Sequence, residues 1–362
     1  MMYAPFGVAV LAAVTYLVQA RFRARGQAVT VMVMLLAAAK FLFFETFGGD
    51  AFNPELPAPV LWGFNGLYSS VFVLLPLSLL TLPLRGWRAR RWLLPVLAAV
   101  VAGWGIFCGL RTPSVVYLDL VYPDLPPELD GYRILQLSDL HISASARQAR
   151  TRAIVERANA EGADLICVTG DIADGIAARH REDVAPLAEL RAKDGVWFVT
   201  GNHEFYQDSS AWQALYRSLG LRFLDGSCVR PRPGLALAGL SADPQAGGNY
   251  DPEEVRKLYA QSAPGDFRVL LLHFPQWAAK YVGKAGVRLQ LSGHTHGGIM
   301  PFADRLVAAC NGGYVHGAYA LDGGCLYVSR GSGQWAGFPM RLLNPSEITV
   351  LTLKRRGTCE AK

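Results

Sequence analysis

Four apolar runs fill most of the first 110 residues, at about Ala4–Gln19, Ala28–Phe44, Pro59–Leu84 and Trp92–Leu110, with short polar linkers between them. A chain patterned this way has few ways to fold. Crossing a bilayer takes about 20 apolar residues, with a range of roughly 17–25. The last three runs meet that length, and the first falls just short of it but carries no charge. Lys40 lies near the end of the second run, where its amine can reach the interface. Trp62, Trp87, Trp92 and Trp104 lie at or near run ends, as interfacial aromatics do. Asn65 and Ser69 or Ser70 can bond a neighbouring helix. Met1-Met2-Tyr3 offers no basic residue ahead of the first run, and arginines follow it, so an uncleaved anchor is expected and not a signal peptide. Four core helices of a soluble domain are the competing reading, disfavoured by four such runs in succession. The expectation is a transmembrane domain of four helices over residues 1–111.

Charge divides the chain at the same place. Overall 51% of residues are hydrophobic and 18% charged, against about 25% charged in ordinary soluble domains. That excludes a disordered chain. The first 110 residues hold eight Lys/Arg and three acids, while the rest is almost balanced, so most of the net +6 sits early. It is concentrated in Arg21–Arg25 and Arg85–Arg91. Arginine-rich linkers stay cytoplasmic. The acidic linker Glu45–Glu55 should then be outside, and four spans leave the C-terminal part extracytoplasmic. That part has no basic stripe, so a nucleic-acid partner is not expected. Six cysteines are too few for a disulfide scaffold.

Beyond Arg111 the pattern becomes strand–helix alternation. Short apolar-rich runs suit buried strands at Tyr132–Ser138, Asp164–Thr169, Gly195–Thr200, Leu235–Leu240, Arg268–Leu272, Val287–Leu291, Cys325–Arg330 and Glu347–Leu353. Helical spacing covers Arg147–Ala160 and Val184–Ala192. Val115–Pro127 reads as an edge strand plus a linker from the membrane. The expected class is a layered α/β domain over residues 112–355, with a short tail at 356–362 and its site at strand ends.

Five segments place Asp, Asn or His at or just after the end of an apolar strand. They are Asp139-Leu140-His141, Gly170-Asp171, Gly201-Asn202-His203-Glu204, His273, and Gly293-His294-Thr295-His296. Five of the seven histidines fall in them. Each piece is weak alone. Together, at the ends of strands that a sheet would align, they read as converging ligands. Carboxylate, amide and imidazole donors suit Mn, Fe or Zn, and the lack of Cys argues against a structural zinc site. Gly170, Gly201 and Gly293 permit turns and close backbone approach.

In this order the five blocks resemble the calcineurin-like metallophosphoesterase superfamily, over about residues 113–355. LQLSDLHIS, LSGHTHGG and the tail RGSGQWAGFPMRLLNPSEITVLTL are most similar to its membrane-anchored, multi-pass bacterial branch. The resemblance implies a four-layered α/β/β/α sandwich and a two-metal site. Asp139, His141 and His296 would bind one ion, Asn202, His273 and His294 the other, and Asp171 would bridge them. His203 would face the substrate phosphate and assist the leaving group. Two such ions lower the pKa of a bridging water, whose hydroxide attacks phosphorus in line, with His203 as general acid. Manganese suits the donor set best, with iron or zinc close behind.

Other residues weigh less. Glu204 either orients His203 or Asn202 or is solvated. Asp174 reads as a turn residue, and His180 and His316 as surface or loop residues. Arg330 and Arg341 read as structural ion pairs, with phosphate contact as the alternative. Cys167 should be a buried thiol, and Cys310 and Cys325 could pair if the domain is outside. The expected function is a membrane-anchored, metal-dependent phosphoesterase acting on a lipid or lipid-linked envelope phosphate. The alternatives are a cytoplasm-facing UDP-sugar-lipid pyrophosphatase and a non-enzymatic membrane module with a structural metal. The sequence does not separate monoester, diester and pyrophosphate substrates, and it is silent on oligomeric state.

Overall fold

The computed structural model describes residues 40–50, 53–81, 90–243, 247–300 and 303–355. The chain forms two compact units. The first comprises the residues up to Cys108 together with Ala336–Met340, and the second comprises Gly109–Trp335 and the residues from Arg341 onward.

In the first unit the described helices run over residues 40–48, Ala58–Leu80 and Arg90–Leu110. The expectation of four spanning helices is not supported. Among the described residues one helix, Leu93–Leu110, is long and apolar enough to cross a membrane, with mean hydropathy 2.2, and Ala58–Leu74 is a shorter apolar stretch. The first expected run, residues 28–39 of the second and 82–84 of the third lie outside the described residues. On the Arg90–Leu110 helix, Leu93, Val96, Leu97, Val100, Trp104, Phe107 and Leu110 are exposed, whereas Ala98, Ala102 and Ile106 are buried. The exposed side chains recur at helical spacing and make one continuous apolar stripe. Lys40 is buried. Its amine donates to the Gly337 carbonyl at 3.3 Å and sits 4.1 Å from the centre of the Tyr68 ring. Phe338 meets Phe72 edge-on, with ring centres 5.0 Å apart. The stretch Ala336–Met340 therefore belongs to the helical unit although it lies late in the sequence. The expected division at residue 111 did not include it.

The second unit is built on two six-stranded sheets. One has the order β1 (Ser114–Val121), β12 (Glu347–Lys354), β2 (Arg133–Leu137), β3 (Leu165–Thr169), β4 (Val196–Val199), β5 (Arg222–Phe223). The other has β10 (Gly317–Leu321), β11 (Gly324–Val328), β9 (Leu289–Ser292), β8 (Phe267–Leu272), β7 (Leu235–Leu240), β6 (Ser227–Arg232). Strands β2, β3, β4 and β5 are mutually parallel, as are β7, β8, β9 and β11. Parallel neighbours end on the same edge, which is what gathers the polar clusters.

Alternation of side chains fixes the layers. Ile134, Leu165, Cys167, Trp197 and Val199 of the first sheet share a core with Leu235, Leu237, Val269, Leu271 and Leu289 of the second. The opposite faces pack on helices. Leu135, Ile166, Val168 and Phe198 meet Ile154, Val155, Trp212 and Tyr216. Ala236, Leu270 and Leu272 meet Val255, Tyr259, Ala278 and Tyr281. The result is helix, sheet, sheet, helix. Gln136 crosses between the sheets near the site, donating to Thr169 Oγ1 at 2.8 Å and to the Ser292 carbonyl at 2.9 Å.

Most expected strands fall within two residues of their observed bounds. Three were missed. β5 is two residues long, and β6 and β10 are only partly buried, so their apolar pattern is faint. The expected helix at Val184–Ala192 is instead a short α-helix, Arg181–Val184, followed by a 3-10 turn, Ala185–Glu189. Pro186 explains the break, because it cannot donate to the preceding turn.

Candidate metal centre

Each cluster leaves its strand through a short loop at the carboxyl edge. Asp139 follows β2, Asp171 follows β3, Asn202 follows β4, His273 follows β8 and His294 follows β9. Five of these loop residues hold left-handed backbone: Asp139 (φ 50°), His141 (46°), Asp171 (50°), His294 (74°) and His296 (50°). Such a conformation costs a non-glycine residue about 1–2 kcal/mol. Among the described non-glycine residues only Ile299 and Leu343 otherwise have positive φ. The strain is concentrated where the side chains converge, as at sites whose geometry the fold over-determines.

Asp171 is central. Its Oδ2 lies 3.2 Å from His273 Nε2 and 3.9 Å from both His141 Nε2 and His203 Nε2. On one side, His141 Nε2 and His296 Nε2 face each other at 3.0 Å, and His296 Nε2 lies 3.5 Å from Asp139 Oδ1. Such a contact is favourable when one nitrogen carries a proton for the other or when both bind one cation. On the other side stand His273 and His294, ring centres 5.2 Å apart. Asn202 Oδ1 is buried without a hydrogen-bond partner, and His273 Nε2 has only the Asp171 carboxylate, at 3.2 Å, beside it. Buried polar atoms left without partners call for an explanation, and a cation supplies it. Asp139, His141 and His296 can hold one ion; Asp171, His273 and His294 can hold another; His141, Asp171 and His203 also lie within mutual reach. The donors therefore fit a metal pair, with Asp171 common to both sides.

The surroundings fix which nitrogen faces inward. His273 Nδ1 donates to the Thr169 carbonyl at 2.7 Å, leaving Nε2 for the site. His141 Nδ1 donates to both oxygens of Asp174 at 3.1 Å, and His203 Nδ1 donates to Asp174 Oδ1 at 2.7 Å. Asp174 is thus no simple turn residue. It is a buried carboxylate shared by two histidines, the kind of outer partner that orients metal-site imidazoles. The signal was present three residues after Asp171 but indistinguishable from a turn aspartate.

Glu204 likewise differs from both expectations, being neither solvated nor bonded to either neighbour's side chain. It is fully buried and touches neither the His203 nor the Asn202 side chain through its carboxylate. It accepts the backbone amides of Asp171 (3.1 Å), Ile172 (2.7 Å), Ala173 (3.3 Å) and Gly201 (2.7 Å), so it ties two loops together. Asn202 instead donates to Tyr206 Oη at 2.8 Å. The glycines act by close approach. A Cβ on Gly201 would overlap the Asp171 carboxylate, and one on Gly293 would overlap Ser138 Oγ and Asp139 Oδ2.

Arg341 is buried and bonds no carboxylate. It donates to His296 Nδ1 (2.8 Å) and to the carbonyls of His296 (2.9 Å), Arg330 (2.6 Å) and Gly333 (2.9 Å). Arg330 pairs with Glu347 at 3.7 Å. His180 is buried against Asp183 at 2.8 Å and is not a surface residue. His316 is exposed. Cys167 is buried as expected, while Cys310 and Cys325 are free thiols and not a disulfide. Cys310 ends an exposed helix, whereas Cys325 lies within β11.

The charges divide by neighbour. Burial presses His203 and His273 down, but Asp171, with Asp174 for His203 and Asp139 for His273, outweighs it and holds both at about 9. Burial, then the His273 charge, holds His294 down at about 3, and burial with Arg341 lowers His296. Burial raises Asp139, while in Asp171 the histidine charges overcome it and lower the carboxyl well below its usual range.

Comparison with known proteins is consistent with this geometry. The calcineurin-like phosphoesterase family profile matches residues 132–298. The "transmembrane protein with metallophosphoesterase domain" of Danio rerio is 30% identical over 72% of this chain and 62% of its own length. The chain thus spans less than two thirds of that relative. The Bos taurus protein of the same description is 30% identical over 90% of this chain and 80% of its own. An uncharacterized metallophosphoesterase of Aquifex aeolicus is 32% identical over 64% of this chain and 88% of its own.

Proposed function

Because the chain belongs to the calcineurin-like phosphoesterase family, we propose that it hydrolyses a phosphate ester at a membrane surface through a two-metal site. The observation that carries this reading is the convergence of Asp139, His141, His296, His273 and His294 around Asp171, with Asn202 Oδ1 buried and without a hydrogen-bond partner. Asp139, His141 and His296 would hold one divalent ion, Asn202, His273 and His294 the other, and Asp171 both. Manganese is the proposed metal from the nitrogen and oxygen donors. Two ions held there supply Lewis acidity at phosphoryl oxygens and a nucleophile at neutral pH.

The chain's own residues do the rest. Asp174 holds the His203 ring through Nδ1, so the Nε2 proton points toward the Asp171 side of the site. Held in this tautomer, His203 presents Nε2 as the atom that can give a proton to the departing alkoxide. Glu204 fixes the two loops that carry Asp171 and Asn202, so neither ligand can swing away. Arg341 holds His296 from behind.

The membrane reading is supported by the apolar stripe on Arg90–Leu110 and by relatives named as transmembrane proteins. The bovine alignment covers more of this chain than the second unit alone can supply. We place the chain in a multi-pass, membrane-anchored branch with the catalytic unit extracytoplasmic, as the arginine-rich linkers suggest. A lipid or lipid-linked phosphate is the substrate class that such a location favours. The test is to purify the protein in detergent, strip the metal, and assay an aryl phosphodiester and an aryl phosphomonoester with Mn restored. Metal-dependent turnover supports the reading; two bound ions with no turnover on either ester or on a lipid phosphate refutes it.

A further inference from the structure

Two aromatic rings stand against His203. The Tyr206 ring centre lies 4.7 Å from that of His203, tilted by 50°, and the Trp335 ring meets it edge-on at 5.8 Å. Tyr206 is half exposed, and its ring is held in place, because Oη accepts from Asn202 Nδ2 at 2.8 Å. Trp335 is partly exposed. His203 itself keeps a small accessible face, and the rings that border it are what an approaching molecule meets next.

The apolar character continues outward. Among the described residues beyond β1, the exposed large apolar side chains are Ile176, Tyr206, Leu306 and Leu343. Each belongs to a loop or helix of the metal centre. Ile176 stands two residues past Asp174. Leu306 lies on the helix Asp304–Cys310, whose first residue would meet a Cβ placed on Gly298 at 2.9 Å. Leu343 sits between Arg341 and Asn344, both of which donate to the His296 carbonyl. It is 85% exposed and holds left-handed backbone at φ 57°. An exposed leucine gains no burial from folding, and that backbone is a further cost. Strain and exposure at one residue mark a position kept for something outside the fold.

A leaving oxygen must come within about 2.6–3.2 Å of His203 Nε2 to take its proton. The atoms attached to that oxygen then lie against Tyr206 and Trp335. Covering those rings removes apolar surface from water, which favours an apolar group. A strongly hydrated group would surrender its hydration to the same rings without replacing it, and the Tyr206 hydroxyl is already engaged by Asn202.

We infer that Tyr206 and Trp335, continued outward by Leu343, Ile176 and Leu306, receive the leaving group, so that the alcohol released is an apolar one built of aryl or alkyl carbon. Hydrolysis joins the water oxygen to phosphorus and breaks the bond from phosphorus to the ester oxygen. That oxygen leaves with the His203 Nε2 proton, and the proton shed by the attacking water restores the ring. The inference rests on the phosphoester reading above, in which His203 serves the leaving oxygen, and extends it to the half of the substrate that the apolar collar selects.

The test uses the full-length, Mn-loaded protein in detergent, with 4-alkylphenyl phosphates and their methyl diesters carrying hydrogen, ethyl or butyl at the 4-position. The leaving phenols are nearly equal in acidity, so the series varies apolar length alone. Released phenol gives kcat/KM. Calorimetry on the matching 4-alkylphenylphosphonates, which have no ester oxygen to release, gives affinity without turnover. From hydrogen to butyl both should rise about tenfold, as for half-burial of four carbons. Y206A and W335A should each cut the rise to about threefold or less. Y206F, which keeps the ring and loses only the bond to Asn202, should retain it. Y117A, at an exposed tyrosine of β1 bonded to Glu161, should keep it whole. A flat series in the wild type, or a rise that survives both ring deletions as micelle partition would give, overturns the inference. So does a Y206F as flat as Y206A, because Tyr206 would then act only by holding Asn202. Absent turnover with a ring-dependent rise in phosphonate affinity would instead count against the phosphoesterase reading alone.

Discussion

Replacing Asp174 by Asn removes one charge and tests whether this carboxylate sets both the metal site and the general acid. In the native structure both oxygens accept from His141 Nδ1 and one accepts from His203 Nδ1. An asparagine oxygen at the Oδ1 position still accepts from His203, but its amide then takes the Oδ2 position against His141 Nδ1. That second ring must move its proton to Nε2 to accept. For His141 this puts a proton on the atom that faces His296 at 3.0 Å and blocks metal binding there. For His203 the bond survives, and what is lost is the negative charge that raises its affinity for a proton. Losing one charge-assisted hydrogen bond costs about 1.5–3 kcal/mol, or roughly 10- to 150-fold in turnover. Loss of an outer partner of a metal-bound histidine costs about 10- to 100-fold in metal affinity. Calorimetric titration of Mn into the stripped variant, then turnover at saturating Mn, separates the two losses. If D174N binds Mn like the wild type and turns over within about twofold of it, the Asp174 charge sets neither the metal site nor the general acid.

Other outcomes follow from the same site. H203A should keep its metal content and lose roughly 100-fold or more in turnover, as for removal of a general acid; an equal fall in both would make His203 a ligand. In metal-free protein, His203 and His273 are raised to about 9 from the ordinary 6.5. Their stabilisation is complete below pH 6.5 and is lost as pH rises through 9, on the order of a few kcal/mol. His294 and His296 are lowered and stay neutral in the fold, while at pH 6.5 each is about half protonated when unfolded, which opposes the decline by only a few tenths of a kcal/mol apiece. Urea unfolding of the stripped protein at pH 6.5 and 9 should show the decline, and a stability that rises instead is incompatible with these shifts. G201A should cost about 1–3 kcal/mol and cut Mn affinity, because the added methyl displaces the Asp171 carboxylate; unchanged affinity by calorimetry would mean the loop gives way elsewhere.

What sequence could reveal depended on how locally each feature is encoded. Seven candidate ligands stand at the ends of apolar strands, so composition and spacing mark them, and the fold brings the six carboxylate and imidazole side chains among them together. The outer partners were not legible in the same way. Asp174 and Glu204 are read only once the loops after β3 and β4 are side by side. Arg341 looks like an ordinary surface arginine until its burial and its bond to His296 are known. β6 and β10 escaped notice because half-buried edge strands lack the continuous apolar run that marks β3 or β8.

The excursion of Ala336–Met340 into the helical unit bears on the order of assembly during synthesis. The carbonyl that receives the Lys40 amine belongs to Gly337, 297 residues later. At about 5–20 residues per second, roughly 15–60 s pass before that acceptor is made. During this time the helix carrying Lys40 must keep an ammonium in apolar surroundings with aromatic faces as its company, or delay its final seating. The helical unit is therefore the first to be synthesised and among the last to be completed, and a ribosome stalled before residue 336 would hold it in an unfinished state.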